Sequence, residues 1–91
     1  MQLSVKKEEP AAGIVTLDEL PEDGEGVVER IELPGDLAQR LMELGFVPGH
    51  VVSVGRSAPS GDPRVFGVDG GEIALRRETS SCIFVRPVRG E

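Results

Sequence analysis

The sequence has no tryptophan and no tyrosine, and its aromatic side chains are limited to Phe46, Phe66 and Phe84. With so few large rings to fill an interior, the predicted core is aliphatic. Cys82 is the lone cysteine, which excludes an intrachain disulfide. A secreted domain of this size normally depends on such staples, so a reducing, cytoplasmic setting is expected. No apolar run approaches the ~20 residues that span a bilayer. The opening MQLSVKKEEPAAG sets charges and a proline where a signal peptide needs its apolar stretch. The expectation is a protein that meets a membrane only through a partner.

Ten Lys and Arg against 16 Asp and Glu give a net charge of −6, which repels phosphate backbones and anionic lipid surfaces at long range. Nucleic acid is therefore not an expected partner. Basic residues do gather in the C-terminal half, at Arg56, Arg64, Arg76, Arg77, Arg86 and Arg89, and a solvated face is the plain reading of them. The 91 residues suffice for one small hydrophobic core. Residues 1–13 lack periodicity and carry too little apolar surface to offset chain entropy, so they are predicted to form a flexible tail ahead of a domain at 14–89.

From Gly13 onward, short apolar segments alternate with Gly, Pro and Asp, the spacing of a small β-barrel or sandwich. Ile14 to Leu17 predicts one strand, followed by an acidic turn. GVVERIEL predicts another, with Val27, Ile31 and Leu33 on one face and Glu29 interrupting it through a bulge or a twist. HVVSVGRS and RVFGV alternate through Val52, Val54, Phe66 and Val68 and predict a hairpin joined by the loop APSGDP. EIAL and CIFVRPV supply two more strands, with Ile83 and Val85 facing one way and Cys82 and Phe84 the other. RRETSS between them suits a short helical turn.

The clearest local grammar lies in PGDLAQRLMELGFVPGH. Asp36 is placed to cap a helix, with Gln39 three residues on. Leu37, Leu41 and Leu44 follow at helical spacing as a buried stripe. Gly45 fits the left-handed end of a Schellman cap, with Phe46 folding back on Leu41. Pro48 and Gly49 occupy the centre of a type II turn. Five or six short strands and one short α-helix must then close on themselves to hide their edges, which predicts a mainly β, SH3-like barrel.

Catalytic patterns are missing. One histidine leaves little room for a nucleophile with its base, and no G-x-S-x-G, H-E-x-x-H or P-loop spacing occurs. His50 is the weak candidate metal ligand, with Cys82, Glu43 or Glu72 as conceivable companions, but none of these spacings is that of a known ligand set. A surface residue at a strand start is the plainer reading. The acidic group Asp18, Glu19, Glu22, Asp23 and Glu25 lacks the order of a calcium loop and reads as a solvated turn. Phe84 opposes the parity of its apolar neighbours, which places it outside the barrel, covered by the tail or helix or else marking a protein-binding patch near Arg86.

The helix and corner LAQRLMELGFVPGHVVSV, followed by SAPSGDPRVFGVDGGEIALRRETSSCIFV, resembles the FeoA family of ferrous-iron transport accessory proteins. The motifs that carry the likeness are Leu44–Gly45, Pro48–Gly49, Ala58–Pro59, Gly61 to Pro63 and Ala74 to Arg76, in order, between about Leu17 and Val88. The resemblance implies an SH3-like barrel without enzymatic activity or cofactor. It also implies an adaptor or regulator of the membrane transporter FeoB, which has a cytoplasmic GTP-binding domain. Ser60 stands where such sequences often carry leucine, and Gly70–Gly71 replaces a bulkier residue. Candidate partner contacts are Ser60, Gly61 and Asp62 at the hairpin tip, Arg76 and Arg77 nearby, and Phe84 on the last strand. The alternative is a metal-responsive domain like those appended to iron-dependent repressors, binding Fe(II) or another divalent metal directly through His50. Exposed edge strands leave a homo-oligomer open.

Overall fold

Alternation at period two places Val52 and Val54 on one side of a strand and Phe66 and Val68 on the same side of the next, and all four are buried. The computed structural model describes residues 13–88, so the expected tail lies outside them except for Gly13. The elements are β1 (Val15–Thr16), a 3₁₀ turn (Leu17–Glu19), β2 (Glu25–Ile31), α1 (Gly35–Glu43), β3 (Val51–Ser57), β4 (Arg64–Val68), β5 (Gly71–Leu75), a one-turn helix α2 (Arg77–Ser80) and β6 (Ile83–Val88). The strands form one six-stranded sheet in the order β1-β6-β2-β3-β4-β5, with every neighbouring pair antiparallel. The hydrogen-bonded ladder is open, with β1 and β5 at its edges.

Twist and curl bring the inward-facing side chains together in a single cluster. That core is largely aliphatic, but its two largest fully buried side chains are Phe46 and Phe66. Two of the three scarce aromatics thus sit at its centre, which corrects the purely aliphatic expectation. β2 resolves another. Its ladder with β6 slips between Val28 and Arg30, so Glu29 is the extra residue of a bulge. The bulge reverses parity, and Val28 and Ile31 both reach the core cluster while Val27 remains half-buried.

The helix departs from its predicted stripe. Pro34 occupies the N-cap position with ψ 148, and no side chain caps the helix. The Ala38 amide donates to the Pro34 carbonyl at 2.9 Å. Asp36 lies inside the first turn, where its carboxylate complements the helix dipole. Of the three leucines only Leu41 is buried; Leu37 and Leu44 are 46% and 45% exposed. Nine residues resting on the barrel rim present one leucine to the core and leave the flanking two beside it.

Candidate protein-docking surface

The corner after α1 is built as its residues dictate. The Gly45 amide donates to the Met42 carbonyl and the Phe46 amide to the Leu41 carbonyl, each at 3.0 Å, the paired bonds of a Schellman cap. Gly45 has φ 117, and a Cβ there would lie 2.8 Å from Asp69 Oδ2. Gly49, with φ 96, completes the next turn, closed by the His50 amide on the Val47 carbonyl at 2.8 Å. His50 ends up half-exposed with Nδ1 3.4 Å from Asp69 Oδ1. Cys82, Glu43 and Glu72 do not join it, and among the described residues no three His, Cys, Asp or Glu side chains converge as a metal site.

The β3–β4 loop is held from both sides. Ser60 Oγ donates to the Asp62 carbonyl at 3.0 Å, and the Gly61 amide donates to the Ala58 carbonyl at 2.7 Å. Asp62 Oδ1 accepts the main-chain amide of Arg77 at 2.8 Å. Arg64, at the loop's return, sends Nη1 to the Leu20 carbonyl at 2.6 Å and the Asp18 carbonyl at 3.4 Å, and Nε to Ser57 Oγ at 3.3 Å. A shallow polar cleft of 170 Å³ separates the loop from α2, lined among others by Asp18, Asp62, Arg64, Arg77 and Ser80. Ser60, Gly61, Asp62 and Arg77 therefore share one patch, with Arg76 adjoining it. Asp62 serves the fold there, with one carboxylate oxygen engaged by α2.

Phe84 belongs to a different patch. Its neighbours across the ladder are Thr16 and Arg30, and the Arg30 guanidinium lies 4.3 Å from the ring centroid. Arg30 also bonds Glu32 at 2.7 Å, and Arg86 pairs with Glu29. Among the described residues, the face of this outward aromatic is covered by Arg30 of β2, and the tail expected as its cover lies outside them.

One feature was not apparent from local pattern. Leu37 of α1 and its C-cap residue Leu44 line an open groove of 270 Å³ together with Leu33, Leu41, and Ile73 and Leu75 of the edge strand β5. The surplus of leucines over what a nine-residue helix can bury was the signal available. Nothing local identified β5 as the opposing wall.

The FeoA domain family model matches residues 15–87. The chain belongs to the FeoA family. It is 35% identical over 69 residues to the Fe(2+) transport protein A/Fe(2+) transporter FeoB fusion protein of Porphyromonas gingivalis, a match covering 76% of this chain and 8% of that protein. Among solved structures, the FeoA protein of Chlorobium tepidum superposes with a TM-score of 0.79 at 31% identity, over 85% of this chain and 73% of that one. FeoA of Stenotrophomonas maltophilia, an SH3 domain protein solved with zinc, gives 0.69 at 36% identity, over 78% of this chain and 88% of that one. The SH3-like architecture predicted from strand spacing is the architecture found.

Both departures from the FeoA pattern have structural homes. Ser60 uses its hydroxyl inside the loop, on the Asp62 carbonyl. Gly70 joins Asp69 in a two-residue turn, with φ 81 and φ 51 respectively, the double positive φ of a type I′ hairpin.

Proposed function

We propose that this FeoA-family chain is a cytoplasmic accessory protein of ferrous-iron uptake that docks on a FeoB-type membrane transporter and regulates it. The observation that carries this reading is the Porphyromonas gingivalis relative, in which the FeoA-like part and the transporter are one polypeptide. Joining two modules by a linker raises their effective concentration and rewards a pre-existing association. The Stenotrophomonas relative is itself described as a candidate activating factor of ferrous-iron transport. No helix among the described residues is long and apolar enough to cross a membrane; in this reading the membrane is reached through the transporter. The proposed contact is the loop–α2 patch, with Ser60 and Gly61 at the tip and the exposed guanidiniums of Arg76 and Arg77 as polar anchors. Asp62 holds the patch in shape. The protein acts by binding, with no catalytic step of its own.

The test is an amide NMR titration of the labelled chain with the cytoplasmic domain of its matching transporter, in GTP-bound and GDP-bound forms. Shifts gathered at residues 59–62 and 76–78 support the docking face, and a difference between nucleotide forms supports regulation. Shifts confined to the β2–β6 face around Phe84 would relocate it. No shift at saturating partner concentrations would overturn docking on that domain.

A second reading, direct binding of a divalent metal, is favoured by the approach of His50 to Asp69 and by the zinc held by the Stenotrophomonas relative. These two groups are half of a tetrahedral set. A ferrous-iron titration with a stoichiometric endpoint that disappears in His50→Ala would establish it; an unchanged endpoint would remove His50 from it.

A further inference from the structure

We propose that β5 is a self-pairing edge, through which a second copy of this chain extends the sheet across a two-fold axis at Ala74. This goes beyond the transporter reading and does not depend on it. The register of the β4–β5 hairpin decides which backbone groups are free. Its two-residue turn makes Val68 and Gly71 a hydrogen-bonded pair, and Phe66 with Ile73 and Arg64 with Leu75 follow in the same ladder. The amides and carbonyls of Glu72 and Ala74 consequently point away from β4. Arg76 continues this parity, because its backbone is still extended at φ −76, ψ 155 before α2 begins.

An antiparallel copy centred on Ala74 meets this edge with complementary chemistry at each position. Ala74 faces Ala74 of the second copy, and its small side chain allows close approach at the axis. Glu72 faces Arg76 of the second copy, and Arg76 faces Glu72 of the second copy, so symmetry repeats the ion pair. Ile73 faces Leu75 of the second copy on the inward side. Ala74 can exchange both main-chain bonds with its symmetry mate. The Arg76 amide can donate to the opposing Glu72 carbonyl, although the Arg76 carbonyl already accepts the Thr79 and Ser80 amides at 2.9 and 3.0 Å.

Glu72, Ala74 and Arg76 are exposed, and among the described residues neither Glu72 nor Arg76 forms an ion pair within the chain. The apolar groove beside this edge, open at Leu37 and Leu44, lies on the side to which Ile73 of the second copy would project. One edge thus offers free backbone groups, opposite charges at symmetric offsets and an apolar groove. Residues 71–76 carry no lysine and no proline, two of the residues that block such edges elsewhere.

Sedimentation equilibrium of the full chain tests the proposal, with Glu72→Arg, Arg76→Glu and the double exchange compared against the parent. The parent should show a concentration-dependent dimer. Each single reversal replaces two attractive cross-strand pairs by two repulsive ones and should weaken dimerisation by about tenfold. The double exchange restores opposite charges and should recover it, with far-UV circular dichroism unchanged throughout. A parent monomeric at every concentration overturns the proposal, as does a dimer indifferent to both reversals or a double exchange that fails to rescue. Amide protection at Glu72 and Ala74 in a monomer, lost on deleting residues 1–12, would identify the chain's own N-terminal segment as the occupant and equally overturn it. None of these readouts involves the transporter, so failure here leaves the docking reading intact.

Discussion

The carboxylate of Asp62 accepts the Arg77 main-chain amide at 2.8 Å, tying the β3–β4 loop to the first residue of α2. An amide at a helix start has no intrahelical acceptor, and here the acceptor comes from a loop 15 residues away. Asp62→Ala should cost about 1 kcal/mol, read as a lowered midpoint in urea, whereas Asp62→Asn should keep most of it. An Asp62→Ala variant that matched the parent midpoint would show that the bond contributes nothing. Loss of partner binding in Asp62→Ala but not in Asp62→Asn would mark loop release as its cause.

Gly45→Ala should be more damaging. An L-residue at φ 117 is strained, and the added Cβ would press on Asp69 Oδ2 at 2.8 Å and Val68 Cγ2 at 3.0 Å. Together these should remove about 2 kcal/mol or more. Asp69→Ala in the same chain should relieve the crowding without relieving the backbone, so the double variant should be more stable than the sum of the singles. Denaturation of all three variants checks this, and strict additivity would exclude the contact.

Phe46 and Leu37 should separate cleanly. Phe46 is fully buried at the centre of the core, and Phe46→Ala should cost about 3–5 kcal/mol, much of a small domain's total of about 5–15 kcal/mol. Leu37→Ser, at a side chain 46% exposed, should cost about 1 kcal/mol or less. Thermal melts of the two variants suffice. Equal losses would mean that α1 packs more deeply than its exposure indicates.

The guanidinium of Arg30 over the Phe84 ring should be worth about 0.5–1 kcal/mol. A double-mutant cycle of Arg30→Ala and Phe84→Leu isolates that coupling from the Arg30–Glu32 pair. A coupling of zero would return Phe84 to the list of exposed partner contacts.

Legibility from sequence tracked the range of the interactions. Gly45, Pro48 and Gly49 could be placed because a Schellman cap and a type II turn are decided within a few residues of backbone. The hairpin alternation of Val52, Val54, Phe66 and Val68 was equally local. Glu29 announced an irregularity in β2, but only the pairing with β6 showed that a bulge turns Val28 inward and Val27 aside. Asp62 was named only as a candidate partner contact at the hairpin tip, because its role as acceptor for Arg77 depends on α2. Phe84 was rightly placed outside the core, yet its cover comes from Arg30 on a strand far away in sequence. The leucines of α1 misled most. Their helical spacing was real, but how many of them a rim helix buries depends on the curvature of the sheet beneath it.

The pairing of Val15 with Val85 also sets an order of events at the ribosome. β1 lies at the sheet edge with β6 as its neighbour, so among the described residues the first strand to emerge has its partner in the last. At about 5–20 residues per second, Val15 waits several seconds for Val85 to clear the exit tunnel. The β3–β4–β5 meander can zip together earlier from neighbouring segments, which leaves the β1–β6 pairing as the step that closes the domain.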